Sequence, residues 1–335
     1  MNLCKKSCEK CFYFNRCGGC SFCEASICDS NCKSCGSICV KRGNGVAYIK
    51  EFINEKLTLK KNRDIDIPGY IPIIKDRLPR LLEMQEVSLV GIHGGTALKS
   101  NGKGVRKIYK ENGFRAALNI SNDMRGILEF YVRDRTLEGI WESREKLYQE
   151  VKDMKLEAVI SSNFSVYEDA PRIEHLYNIN RSIIIYNELI DFGINAIPDV
   201  SWYNINDLDY WIDLINNSKC SIISFSFQVV DVRLKASNLW KNYLTGFRYL
   251  AKNLKRNVKV IIVGLNSIIR INQVFLAAEG TNVRSLHILN QAAYIHSQRG
   301  VESEGNKRNV LLPKEDLLIS NIKYLNSIFN KERSD

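Results

Sequence analysis

Ten of the chain's eleven cysteines fall within its first 39 residues: Cys4, Cys8, Cys11, Cys17, Cys20, Cys23, Cys28, Cys32, Cys35 and Cys39. Thiols at this density serve either as a disulfide framework or as thiolate metal ligands. The spacing favours metal. Cys8/Cys11, Cys17/Cys20, Cys20/Cys23 and Cys32/Cys35 are C-x2-C pairs, which let two thiolates converge on one ion or cluster. Met1-Asn2-Leu3-Cys4 leaves no room for the apolar stretch of a secretory signal ahead of the cysteines. A cytoplasmic, reducing setting is therefore expected, in which thiols stay free to act as ligands. Iron–sulfur clusters use dense ladders such as Cys17-Cys20-Cys23, where Gly18 and Gly19 let backbone amides approach the sulfurs. A C-x3-C-x2-C spacing also occurs twice, in Cys4-Cys8-Cys11 and Cys28-Cys32-Cys35. Zinc would use two knuckles such as Cys8/Cys11 and Cys32/Cys35 and leave the cysteines between them over. Iron–sulfur is favoured and zinc is the alternative; spacing does not decide which cysteines share a site. Cys220 stands apart in an apolar run.

The elements that must position this chemistry follow from the rest of the chain. With 335 residues and 45% hydrophobic content it can bury a large core without staples. No apolar run reaches membrane-spanning length, so no membrane partner is expected. The net charge is +11. Residues 1–42 contribute Lys5, Lys6, Lys10, Arg16, Lys33, Lys41 and Arg42 against Glu9, Glu24 and Asp29. Basic stretches recur at 99–110 and 248–259, interleaved with Tyr109 and Tyr249. Such stretches fit either a phosphate-contacting surface or a lysine-rich solvated one.

The pattern divides the chain into a cysteine-rich metal module (1–42), a connector (43–85), a β/α barrel (86–300) and a C-terminal tail with a helix (301–335). Pro68, Pro72 and Pro79 mark the connector as irregular. Eight strands are expected at 87–92, 115–120, 127–132, 157–162, 195–200, 220–227, 258–265 and 285–290. The later ones alternate with amphipathic helices over 137–154, 172–192, 205–216, 238–254 and 268–278. This alternation predicts an α/β fold, a (β/α)8 TIM-like barrel, with an open doubly wound sheet as the rival.

In a barrel, function collects at the C-terminal ends of the strands. Those positions hold His93, Asp134, Asn163, Asp199 and Trp202. Asp134, Asp199 and His93 are the candidate proton-transfer groups. Asn163, Ser165, Arg181 and Trp202 are candidate substrate contacts. Trp202 would serve as a stacking platform or as a core lid. Asn178 and Arg181 share a helix face, where they would either fix the preceding loop or touch ligand.

One stretch carries a more specific pattern: FYVRD-x6-W, then SSNFSVYEDAPRIEHLYNINRS, then GINAIPDVSW, from Phe130 to Trp202. It resembles an uncharacterised domain-of-unknown-function family of bacteria and their phages with a Pro-Asp-Phe-Ser-x-Tyr motif. The matching positions are Asp134, Trp141, Phe164, Ser165, Tyr167, Pro171, Asn178, Arg181, Gly193, Pro198 and Trp202. Where that family has Pro-Asp, this chain has Ser162-Asn163, which removes one carboxylate. The resemblance implies a bacterial or mobile-element setting and no particular reaction.

Together these features lead to an expected metal-binding barrel protein, most simply an enzyme acting on a nucleotide or nucleic-acid-related substrate. A carboxylate facing a flat ring, with aromatic stacking and amide donors, suits such chemistry. A non-catalytic nucleic-acid-binding or redox-sensing protein is the alternative. Radical chemistry on S-adenosylmethionine is a second alternative, although both C-x3-C-x2-C copies precede the barrel.

Overall fold

The computed structural model describes residues 57–82, 87–167, 170–228 and 239–331. Among them, eight parallel strands form one sheet nearly closed into a barrel, consistent with a TIM-like fold. The strands are β1 (Tyr70–Ile74), β2 (Leu89–His93), β3 (Arg125–Glu129), β4 (Ala158–Ile160), β5 (Ala196–Ile197), β6 (Ile222–Ser226), β7 (Val258–Val263) and β8 (Val283–Asn290). The order β5-β4-β3-β2-β1-β8-β7-β6 leaves β5 and β6 as the two ends. A parallel bridge between Asp199 and Ser224 brings these ends together, with backbone bonds from Val200 to Ser224 (3.0 Å) and from Ser224 to Pro198 (2.9 Å).

Alternation along each strand divides the apolar residues into two cores. Ile71, Ile73, Leu89, Ile127, Ile160, Ile197, Ile222, Ile261, Val263 and Leu289 fill the barrel interior. The alternate positions, such as Val90, Leu128, Val159, Phe225, Val260 and Ile288, pack against the surrounding helices. Those helices are α1 (Gly94–Ala97), α2 (Lys107–Leu118), α3 (Asp134–Glu142), α4 (Arg144–Asp153), α5 (Arg172–Asp191), α6 (Ile205–Asn216), α7 (Leu239–Asn253), α8 (Ile268–Ala278), α9 (Ala292–Gln298) and α10 (Lys314–Lys331).

Three expectations need correction. The sheet begins at Tyr70, inside the expected connector: YIPII is buried throughout and pairs with both β2 and β8. The expected strand at 115–120 is instead the end of α2, closed by Asn119 in the left-handed conformation (φ 59°). The third strand starts ten residues later, at Arg125. The single helix expected over 137–154 is two, α3 and α4, broken at Ser143, whose hydroxyl donates to the Gly139 carbonyl (2.6 Å).

Residues 57–68 run irregularly across the N-terminal ends of the strands. Asn62 binds the Ile222 carbonyl (2.7 Å) and the Ser221 amide (2.8 Å), and the Arg63 amide donates to Asn195 (2.9 Å). Ile65 and Ile67 enter the interior core from below. His287 closes this end by bonding the Pro68 carbonyl (2.9 Å). The cysteine module lies outside the described residues. So does Asp169; Pro171 occupies the N-cap position of α5.

Candidate functional site

At the C-terminal end the inward positions turn polar on one arc. His93 ends β2, Glu129 ends β3, Tyr131 follows it, Asp199 follows β5, and Ser224 and Ser226 stand on β6. On the opposite arc Ile73, Val263 and Leu289 remain apolar. The interior is thus asymmetric, and its polar side faces a cavity of about 240 Å³. Tyr131, Asn163, Ser165, Tyr167, Ser201, Trp202, Ser226, Gln228 and Tyr243 contribute to its walls.

Asp199 lies beneath this cavity, fully buried. Its Oδ1 accepts the Tyr131 hydroxyl (2.6 Å) and the Ser224 hydroxyl (2.7 Å), and its Oδ2 accepts the Asn163 amide. Burial pushes its carboxyl up to about 6, against the lowering effect of these three donors. A carboxyl at that value can take or give a proton near neutrality. Burial, reinforced by the neighbouring Asp199 charge, holds the Tyr131 phenol well above its usual value, so it remains a donor.

His93 is not a lone loop histidine. Its Nδ1 pairs with Glu129 Oε1, and Glu129 is fully buried. The second oxygen of Glu129 accepts the Tyr131 amide (2.6 Å). Burial raises the Glu129 carboxyl, while the bond and charge of His93 pull it back. Tyr131 therefore touches both acids, Glu129 through its amide and Asp199 through its hydroxyl. His93 and Glu129 do not line the Asp199 cavity.

Asp134 opens α3 and is exposed. It accepts Ser165 Oγ (2.7 Å) and the Tyr167 hydroxyl, both from the cavity wall. Its visible role is to hold the 163–167 loop. Arg181 does the same from below and is only 3% exposed. It forms a two-pronged pair with Glu138 (2.7 and 2.9 Å), bonds Asn178 Oδ1 (2.6 Å) and lies 3.8 Å from the Phe164 ring centre. Asn178 in turn donates to the Ser165 carbonyl (2.6 Å). Arg181 positions the loop and does not reach the cavity.

Trp202 is both wall and packing element. It lines the cavity, packs on Tyr243 (5.2 Å) and Phe225 (6.4 Å), and lies so close to Gly246 that a Cβ there would meet the indole at 2.5 Å. Among the described residues its Nε1 and the Ser201 hydroxyl are buried without hydrogen-bond partners. Buried donors in that condition mark sites completed by water or ligand.

Sequence reasoning missed Glu129, Tyr131, Ser224 and Tyr243. A signal for two of them was present. Glu129 interrupts the apolar run ILEFYV at an inward position, and serines alternate with phenylalanines in ISFSF. Tyr243 sits on a helix and carried none.

Fold and site define a β/α-barrel protein whose mouth holds a buried carboxylate under an aromatic-walled cavity. The chain belongs to the DUF4417 family, a domain of unknown function, which it matches over residues 96–274. That span contains all of the Phe130–Trp202 pattern. The chain is also similar to the Gene 1 protein of Mycobacterium phage L5, 30% identical over 88 residues, 26% of this chain and 38% of that protein. The Gene 1 protein of Mycobacterium phage D29 is 28% identical over 99 residues, 30% of this chain and 36% of that protein. The chain thus spans well under half the length of these curated relatives. No group of three or more His, Cys, Asp or Glu that could hold a metal ion occurs among the described residues. The ten clustered cysteines lie outside them. No described helix is long and apolar enough to cross a membrane.

Proposed function

We propose that the barrel mouth performs proton-transfer chemistry on a flat, heteroaromatic ring of the nucleobase type. The observation that carries this reading is Asp199, a fully buried carboxyl near 6 whose donors Tyr131 and Asn163 line an aromatic-walled cavity. Asp199 would exchange the proton through the Tyr131 hydroxyl, which separates it from the cavity. Tyr131, Ser224 and Asn163 hold its carboxylate in place and stabilise its charged form. Trp202, Tyr167 and Tyr243 offer ring faces for stacking, and Asn163 and Gln228 offer amides that can read a ring edge. The cavity is smaller than the roughly 300–1,000 Å³ of typical drug-sized sites, which suits one ring system more than an extended ligand.

The cysteine-rich segment would hold an iron–sulfur cluster, or alternatively zinc, through thiolates among Cys4 to Cys39. The bound group would supply electron transfer in the first case and a structural clamp in the second. Anaerobic purification with iron, sulfide and zinc analysis tests this part. The mouth is tested separately by binding of free nucleobases and nucleosides, read by titration calorimetry. Binding that is lost in Asp199→Ala and Trp202→Ala supports the reading. Failure of every purine and pyrimidine to bind the wild type rejects it.

A further inference from the structure

A second cavity lies at the other end of the barrel. It measures about 460 Å³ and is lined by Lys61, Arg63, Lys152, Lys155 and Asn195 over a floor that includes Val151 and Ile194. Every lining segment precedes a strand: 61–63 comes before β1, 151–156 before β4, and 190–195 before β5. The cavity therefore opens on the N-terminal face, away from Asp199. Four cationic side chains line it, and no carboxylate does. Nearby acids are already engaged: Glu157 with Arg63 (3.1 Å) and Asp191 with Lys60.

Cations at this end of a barrel have an ordinary explanation, because helix C-termini attract positive charge. It accounts for Lys152, whose Nζ caps the Phe192 carbonyl (2.9 Å) at the end of α5. It does not account for Lys61, and Lys155, although it follows the C-terminus of α4, makes no side-chain bond to that helix's carbonyls among the described residues. Both are exposed, and among the described residues neither forms an ion pair. Lys155 is unusual in a second way. It holds a left-handed backbone (φ 52°) just after α4, where glycine is the unstrained choice. Gly193, across the cavity, fills such a position in the ordinary way (φ 81°). A lysine at a position that favours glycine, beside three other cations, points to a ligand as the reason for its side chain.

We propose that this N-terminal-face cavity binds phosphate groups. A concave site with four cationic side chains in its lining, Lys61 and Lys155 among them without an ion pair, and no lining acid selects a compact anion that accepts several N–H donors at once. The phosphates could belong to a nucleic-acid backbone or to a free phosphate or pyrophosphate. The segment carrying Lys61 and Arg63 is also the described part of the chain nearest in sequence to the basic cysteine-rich module. The inference does not depend on the chemistry of the mouth.

The test uses the full chain and two substitutions, Lys61→Gln and Lys155→Gly, singly and together, with Lys146→Gln on the exposed face of α4 as a charge control. Binding of a short single-stranded oligonucleotide is measured against salt, and inorganic phosphate and pyrophosphate are measured separately. Each substitution should weaken oligonucleotide binding and lower the slope of log affinity against log salt by about 1, with the control unchanged. Lys155→Gly should also raise Tm, because it relieves the backbone, so lost binding cannot be assigned to misfolding. Phosphate or pyrophosphate binding that needs Lys61 and Lys155, without oligonucleotide binding, would assign the site to a free phosphate. Binding of either kind that is indifferent to both lysines, or no binding at all, overturns the proposal.

Discussion

At the C-terminal ends of the strands the barrel interior becomes polar and acidic; at the N-terminal ends it is sealed. Above, Asp199 and Glu129 are both fully buried, and each is held by neighbours that constrain where a proton can sit. Below, Ile65 and Ile67 fill the interior, and charge is displaced to the rim, where Lys61, Arg63, Lys152 and Lys155 remain exposed. The difference follows from what each end has to satisfy. A buried carboxylate needs fixed donors and is costly to leave unpaired. An exposed cation is hydrated and cheap to keep. The mouth is thus suited to a small ligand with one orientation, and the lower face to a charged ligand that need not be oriented.

The contrast makes the mouth the fragile end. Arg181→Met should have the largest effect. It removes a buried guanidinium that binds Glu138 and Asn178 and stacks on Phe164, all beneath the 163–167 loop. Glu138 is about half exposed and stays hydrated after the change, which moderates the loss. A destabilisation of about 2–4 kcal/mol is expected, read from denaturant midpoints. The cavity should be lost with it, because the loop that supplies Asn163 and Ser165 is no longer held. Wild-type stability in this variant would show that the loop is held by other contacts.

Asp199 gives the next effect, and its sign can be worked out. Its folded carboxyl lies near 6 and the unfolded reference at 3.8. Between these values the folded protein keeps a proton that the unfolded chain gives up. This contribution to stability is therefore fully present below 3.8, falls as pH rises, and is gone above about 6. The span corresponds to about 2–3 kcal/mol. Asp199→Asn should remove that component, so urea midpoints at about pH 4 and about pH 8 should differ less in the variant than in the wild type. An unchanged difference would mean that Asp199 ionises as an ordinary carboxylate and that the mouth has no group poised near neutrality.

Trp202 lies between rigid wall and movable lid, and Gly246→Ala separates these. A Cβ at position 246 meets the indole at 2.5 Å, so either the ring shifts or α7 does. Overpacking of this kind costs about 1–3 kcal/mol. A shift in tryptophan emission with altered ligand binding would show that the wall position matters. Loss of stability with unaltered binding would make Trp202 a packing residue only.

How much of this was legible beforehand depends on the type of signal. The later βα units were readable because apolar strands and amphipathic helices alternate cleanly; α6 and α8 occupy the expected spans. The first strand was not, since Pro72 reads as a breaker, yet Tyr70–Ile74 is buried throughout. The stretch 115–120 has strand-like composition, but Arg115–Leu118 form the helical turn that follows the break in α2 at Gly113 (φ 72°, ψ 168°). Asp199 and Trp202 were legible as strand-end residues in a barrel. Glu129 was not, because a carboxylate inside an apolar run declares itself only when its partner, His93, is placed beside it on the neighbouring strand. Arg181 was read as a candidate substrate contact or a residue that fixes the loop; its bond to Asn178 agrees with the i, i+3 spacing, and it does not line the cavity.

The smallest expected effect on stability tests the lower face. Glu157→Gln removes the one carboxylate that, among the described residues, is paired with a cation of the N-terminal cavity, Arg63. Arg63 is 64% exposed, so the ion pair contributes little, and its loss should change stability by under about 1 kcal/mol. The Asn195 amide still binds the Glu157 carbonyl (3.2 Å), so the local backbone should hold. Freeing Arg63 adds one unpaired positive charge to the cavity. Oligonucleotide or phosphate binding should therefore tighten, with the salt slope for an oligonucleotide rising by about 1. This outcome has the opposite sign to every substitution at the mouth, where each change removes function. Tighter binding at unchanged stability would confirm that the lower face works through net charge at a hydrated surface. Weaker binding would mean that Glu157 holds Arg63 in a needed orientation, and that the two ends of the barrel share one design after all.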